Sequence, residues 1–188
     1  RISRQPIPVD DDRARHIREI FDPGGALSDL VAGAAGSSPH LADLIEKEAG
    51  WLAGALDDDD VVARETAGFE DLDSAALSVA LRRAKRRVAL FVALADLGGA
   101  WSLGEGTGAL TDYADAACGA ALRAGLAAQI KRGKLPGMTM DDLAGCAGMV
   151  VFAMGKMGAR ELNYSSDIGL ICVFDESRFA PDDFHAAR

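Results

Sequence analysis

Asp167 heads the apolar run Ile168 to Phe174 and follows a glycine, lysine and serine turn, which itself follows a second apolar run, Ala147 to Met154. Short apolar runs bounded by glycine suit buried strands. Side chains alternate along a strand, so Asp167, Gly169, Ile171 and Val173 are expected on one face, and Ile168, Leu170, Cys172 and Phe174 on the other. That places a carboxylate at the mouth of a buried strand, where it can ligate a divalent cation. The turn Gly155-Lys156-Met157-Gly158 is not a Walker loop, because Met157 stands where Ser or Thr is needed and Val150 where the first glycine belongs. Its place after a strand still fits a phosphate cradle. Gly155 and Gly158 would let the backbone approach phosphate oxygens, Lys156 would add charge, and Ser165 and Ser166 would donate hydrogen bonds to a phosphate or hold the turn.

Other candidates carry less. Asp57 to Asp60 reads as a solvated helix start leading into Val61 to Ala67, since four adjacent aspartates cannot converge on one ion. His16, His40 and His185 are scattered and read as structural or exposed. Cys118, Cys146 and Cys172 lie far apart in apolar or alanine-rich surroundings, without C-x-x-C spacing, and read as reduced core residues. The three alternating glycines of Gly104 to Gly108 follow no strand, so the dinucleotide fingerprint fails and a plain interhelical loop is expected. Arg82, Arg83, Lys85, Arg86 and Arg87 form a dense basic patch. It is either a solvated helix face, or one or two of its arginines reach phosphates or meet an acidic partner surface.

The supporting elements are mostly helices. Arg1 to Val9 holds two prolines and is expected to be extended. Asp10 to Asp12 gives acidic helix-start chemistry before Ala14, Ile17, Ile20 and Phe21, with Pro23-Gly24-Gly25 as the stop. Ala26 to Ala35, closed by Gly36, and a helix opened by Ser37-Ser38-Pro39 follow. In Ser74 to Leu97 the positions Leu77, Leu81, Ala84, Val88, Phe91 and Ala95 form a one-sided stripe, stopped by Gly98-Gly99. Leu110 to Lys131 reads as a second long helix, and Leu135 to Asp142 as the loop before the first strand. The fold class expected is α+β: a mostly helical bundle over 1–145, then the first strands of a sheet over 146–188.

Composition sets outer limits. With 49% hydrophobic and 26% charged residues, the 188-residue chain can bury one substantial core. Its net charge of −9 argues against broad binding of nucleic acid or an anionic membrane, both of which need a positive field. No apolar run reaches the ~18 to 20 residues of a membrane helix. The N-terminus lacks the apolar core of a secretion signal. Cysteine use points inside the cell, and the cytoplasm is the expected location.

The run Gly155-Lys156-Met157-Gly158-Ala159-Arg160-Glu161-Leu162-Asn163-Tyr164-Ser165-Ser166-Asp167-Ile168 closely resembles the signature of the glutamine synthetase adenylyltransferase and adenylyl-removing enzyme family. Asp96-Leu97-Gly98-Gly99 after the arginine-rich helix is similar to the family's Asp-Leu-x-Gly. The resemblance implies a bifunctional enzyme with two nucleotidyltransferase domains, one attaching AMP to a tyrosine of glutamine synthetase and one removing it by phosphorolysis. GARELNYSSDI is more like the adenylyl-removing copy. It further implies Mg²⁺ as cofactor, Asp167 as a catalytic metal ligand, Gly155, Lys156, Gly158, Ser165 and Ser166 around the nucleotide, and ATP or ADP, phosphate and glutamine synthetase as partners, with a nitrogen-signalling regulatory protein.

One departure stands out. The family pattern ends Asp-x-Asp, whereas this chain has Asp167-Ile168-Gly169. Asp175 and Glu176 lie roughly 20 Å further along the strand at about 3.3 Å per residue and cannot substitute. The resemblance places a third carboxylate beyond Arg188. The expectation is therefore an N-terminal piece of the enzyme, inactive alone, with a sheet completed elsewhere. A non-catalytic binding or regulatory module, and a helical interaction domain capped by two strands, remain as alternatives.

Overall fold

Seven helices precede and interrupt one two-stranded sheet among the described residues, 2–70 and 72–183 of a computed structural model; His185 lies outside them. The helices are α1 (Asp11–Ile20), α2 (Gly25–Ser37), α3 (Pro39–Ala55), α4 (Val61–Glu65), α5 (Ser74–Leu97), α6 (Leu103–Lys131) and the short α7 (Gly155–Gly158), which joins strands β1 (Met149–Met154) and β2 (Gly169–Phe174). The fold class is α+β, a helical bundle with the start of a sheet.

The caps explain most helix starts. Asp10 accepts a hydrogen bond from the N–H of Arg13 at α1, Ser38 from Leu41 at α3, and Asp73 from Ala75 and Ala76 at α5. Four expectations need correction. Gly36 does not close α2, which runs to Ser37; Gly36 instead gives Pro8 of the extended N-terminal segment room to pass, as Gly33 does for Pro6. Asp57 to Asp60 does lead into a helix at Val61, but α4 lasts only five residues and ends at Glu65 rather than Ala67, with Asp58 accepting from the N–H of Asp60 and pairing with Arg64. Gly104 to Gly108 is no loop, because a capping box between Ser102 and Glu105 starts α6 at Leu103 and overrides the low helix propensity of glycine. Finally, the loop expected over Leu135 to Asp142 gives way at Met140 to a 3-10 segment ending at Gly148.

The main core lies among α1, α2, α3 and α5, where Ile17, Val31, Ile45, Leu52, Leu90 and Leu94 are almost wholly buried. α5 spans the molecule. Its N-terminal half packs Leu77 and Ala84 on Phe69 and Ala120, and its middle packs Val88 and Val92 on Ala109. Gly106 lets the two helices approach, since a Cβ there would sit 3.3 Å from Val92 Cγ1. The Tyr113 hydroxyl donates to the Leu81 carbonyl and ties α6 to α5.

The basic patch is neither simply solvated nor wholly free. Glu48 of α3, 5% exposed, accepts from Arg86 and Arg87, and Arg87 also reaches Glu65 while its guanidinium stacks over Trp51. Two cations of α5 thus fasten α3 and α4 to it.

The sheet differs from expectation in burial. β1 and β2 pair antiparallel, with Met154 opposite Gly169 and Met149 opposite Phe174. Yet Val150, Phe152, Leu170, Ile171 and Val173 are each between 39% and 53% exposed. No other strand among the described residues covers them, so these are not buried strands, and Cys172 is exposed with them rather than in a core.

Candidate functional site

A fourth cluster of buried side chains decides where the turn sits. Met157 of α7 and Leu162 just after it, each 4% exposed, pack against Ala114 of α6. Burying two such side chains is worth roughly 1.5 to 3 kcal/mol apiece. The Arg160 guanidinium adds a 2.6 Å contact to Asp112 of α6, and Arg160 itself takes a left-handed backbone with φ of 60°. The segment carrying Asp167 is thereby mounted on the bundle.

Beyond Leu162 the chain folds on Asn163. Ser165 and Ser166 both donate side-chain hydrogen bonds to Asn163 Oδ1, and Ser166 Oγ accepts from the N–H of Asn163. Of the two roles open to these serines, holding the turn is the one their contacts display. Asp167 follows, exposed and two residues before β2 begins at Gly169.

Ser166 and Asp167 line a cavity of about 560 Å³ together with Lys85, Val88 and Ala89 of α5 and Leu110, Tyr113, Ala114, Ala117 and Cys118 of α6. A neighbouring cavity of about 510 Å³ shares Lys85, Ala89 and Tyr164 and adds His40, Arg86 and Asp96. Tyr164 therefore stands on the divide. Tyr164 is 51% exposed, and the partial burial of the rest of it, with the Asp96 charge nearby, pushes its hydroxyl up to about 12.

Gly155, Lys156 and Gly158 do not join this group. Gly155, with φ of 57°, and the exposed Lys156 lie on α7, outside the lining of either cavity. Gly158 has a packing role instead: a Cβ there would collide with the Ala153 carbonyl. Lys85 was within the basic patch but not among the residues expected at the site; only the folding of α5 against α6 reveals its position. His16 pairs with Glu46 at 3.5 Å, and His40 is exposed.

The residues present do not make a Mg²⁺ site by themselves. Asp167 contributes one carboxylate, Gly169 has no side chain to add a second, and among the described residues no group of three or more His, Cys, Asp or Glu is placed to hold an ion.

A helical bundle that carries a strand, a glycine turn and a loop carboxylate beside a second strand defines an α+β unit with one acidic residue facing a cleft. Comparison with known proteins narrows this. The sequence model of the glutamate-ammonia ligase adenylyltransferase family matches residues 22–186, and the chain belongs to that family. A bifunctional glutamine synthetase adenylyltransferase/adenylyl-removing enzyme from Xanthobacter autotrophicus is 45% identical over 160 residues, covering 79% of this chain and 16% of its own length. One of the same description from Bradyrhizobium is 44% identical over 170 residues, covering 86% and 17%. Another, from Rhodopseudomonas palustris, is 37% identical over 185 residues, covering 91% and 18%. The chain thus spans less than a fifth of the length of these relatives. No solved structure matches it. Among the described residues no helix is long and apolar enough to cross a membrane.

Proposed function

We propose that this chain is part of a cytoplasmic enzyme that moves AMP on or off a tyrosine of glutamine synthetase, and that it belongs to the adenylyl-removing half. In that half-reaction an oxygen of inorganic phosphate forms a bond to the AMP phosphorus, the bond to the tyrosine oxygen breaks, ADP leaves, and the tyrosine oxygen takes a proton. One observation carries the reading: the ordered string from Gly155 to Asp167 ends with its carboxylate in a cleft walled by α5 and α6. Residues 1–145 would be the helical region and 146–188 the start of the nucleotidyltransferase unit. Ser166 would meet the nucleotide in the cleft, Gly155, Lys156, Gly158 and Ser165 would serve it by shaping the turn that carries Asp167, Asp167 would be the one metal ligand this stretch offers to Mg²⁺, and ATP or ADP, phosphate and a nitrogen-signalling protein would be the further partners. With one carboxylate the stretch alone would not turn over.

The test is ADP release from adenylylated glutamine synthetase by a full-length family enzyme carrying this sequence in place of its own. Replacing Asp167 by Ala should lower the rate at least about a hundredfold, the scale of losing an essential electrostatic group. An unchanged rate would sink the reading. A second reading, a module that binds without catalysis, is favoured by Gly169 standing where a second carboxylate is needed.

A further inference from the structure

The cleft beside Asp167 has a composition that its sequence motif does not explain. Its walls are apolar, from Val88 and Ala89 on one helix and Leu110, Ala114 and Ala117 on the other, and its polar groups gather at Lys85 and along the segment from Asn163 to Asp167. A volume of about 560 Å³ falls within the range of small-molecule sites, which join an apolar body to a few polar groups. The small side chains Ala89, Ala114 and Ala117 leave flat space between the helices.

Lys85 is the distinctive member. In a chain of net charge −9, the adjacent Arg86 and Arg87 are engaged by Glu48 and Glu65. Lys85 is exposed, makes no hydrogen bond or ion pair among the described residues, and borders both cavities. An ammonium left free at the rim of an apolar cleft matches a ligand with a flat apolar part and an anionic end.

We infer that the cleft between α5, α6 and residues 162–168 binds the adenosine 5′-phosphate moiety of the substrate, with the base against Val88, Ala89, Ala114 and Ala117 and the phosphate at Lys85. This rests on the reading proposed above and adds to it a binding residue from the helical region, far in sequence from the glycine turn. Lys85, Ser166 and Asp167 all line this one cleft. The same moiety occurs in free nucleotides and in an adenylylated tyrosine, and the cleft is open enough for either.

The experiment is calorimetric titration of this chain with AMP, with an adenylylated tyrosine peptide, and with inorganic phosphate. Lys85→Met, which keeps the stem and removes the charge, should weaken AMP binding about tenfold or more, the usual scale of a hydrogen bond to a charged group. Ala117→Leu, which fills the cleft away from Lys85, should weaken AMP binding while leaving the far-ultraviolet circular dichroism unchanged. Tighter binding of the peptide than of AMP would assign the cleft to the protein-bound source; tighter binding of AMP would assign it to the free nucleotide. The inference is overturned if AMP does not bind the unaltered chain, if Lys85→Met binds AMP as well as the parent, or if phosphate alone binds as tightly as AMP. Those results leave the role of Asp167 in ADP release to its own assay, so the two failures are separable.

Discussion

Glu48 and Arg87, 39 positions apart, meet at 2.8 Å, and the same carboxylate also accepts from Arg86 at 2.9 Å. Removing the acceptor strands two cations beside a buried position. Loss of one partner from a fully buried pair costs roughly 3 to 5 kcal/mol, but Arg86 is 42% and Arg87 21% exposed, so solvent screens part of this. Glu48→Gln is expected to cost about 2 to 3 kcal/mol in urea unfolding. A change below about 0.5 kcal/mol would mean the network contributes little.

The same carboxylate gives an acid dependence. Burial raises the Glu48 pKa, but hydrogen bonds and charge from Arg87 and Arg86 outweigh it, and the net direction is down. A carboxylate with a depressed folded pKa contributes stability that is fully present above its unfolded value, about 4.3, and is lost as pH falls through the lower folded value. Unfolding midpoints should therefore drop as pH falls below about 4.3. Glu48→Gln should flatten that part of the profile; an identical slope in the variant would refute the assignment.

Two tyrosines, Tyr113 and Tyr164, are the whole complement of the chain. Burial raises both, Tyr164 to about 12. Ultraviolet titration of the folded chain should show little tyrosinate at pH ~10, where the chain in denaturant is half ionised. Tyr164→Phe should remove the later step. A folded titration centred at the ordinary value would show that the ring is not packed at the divide between the cavities.

Gly169 is a site where a carboxylate fits. A Cβ there would rest 3.5 Å from the Met154 Cβ, an ordinary contact, within a strand that pairs in regular register. Gly169→Asp should leave the thermal midpoint nearly unchanged and give Mg²⁺ binding, roughly millimolar, by calorimetry. Heats indistinguishable from those of the unaltered chain would favour the non-catalytic module.

The helices were legible to different degrees for physical reasons. α5 can be read to the residue because its apolar spacing is regular, Asp73 caps it and Gly98-Gly99 ends it. The start of α6 could not be read from glycine content, although the Ser102 and Glu105 spacing carried the signal. The two strands follow from two apolar runs bounded by glycine, but their antiparallel register and their exposure do not, because both depend on what the strand meets in space and not on its own residues. At the candidate site the local string points to Asp167. Lys85 was out of reach, since its place in the same cleft as Asp167 arises from the packing of α5 on α6, some eighty positions away in sequence.

The extended N-terminal segment has a consequence in time. Ser3 and Arg4 donate backbone hydrogen bonds to the Gly98 carbonyl, and the Ser3 hydroxyl reaches the same atom across 95 positions. During synthesis Ser3 and Arg4 leave the ribosome some ninety positions ahead of Gly98, so this latch closes only after α5 has followed, while α1 to α3 assemble from local contacts first. The segment that threads past α2 is thus among the last parts of the bundle to settle.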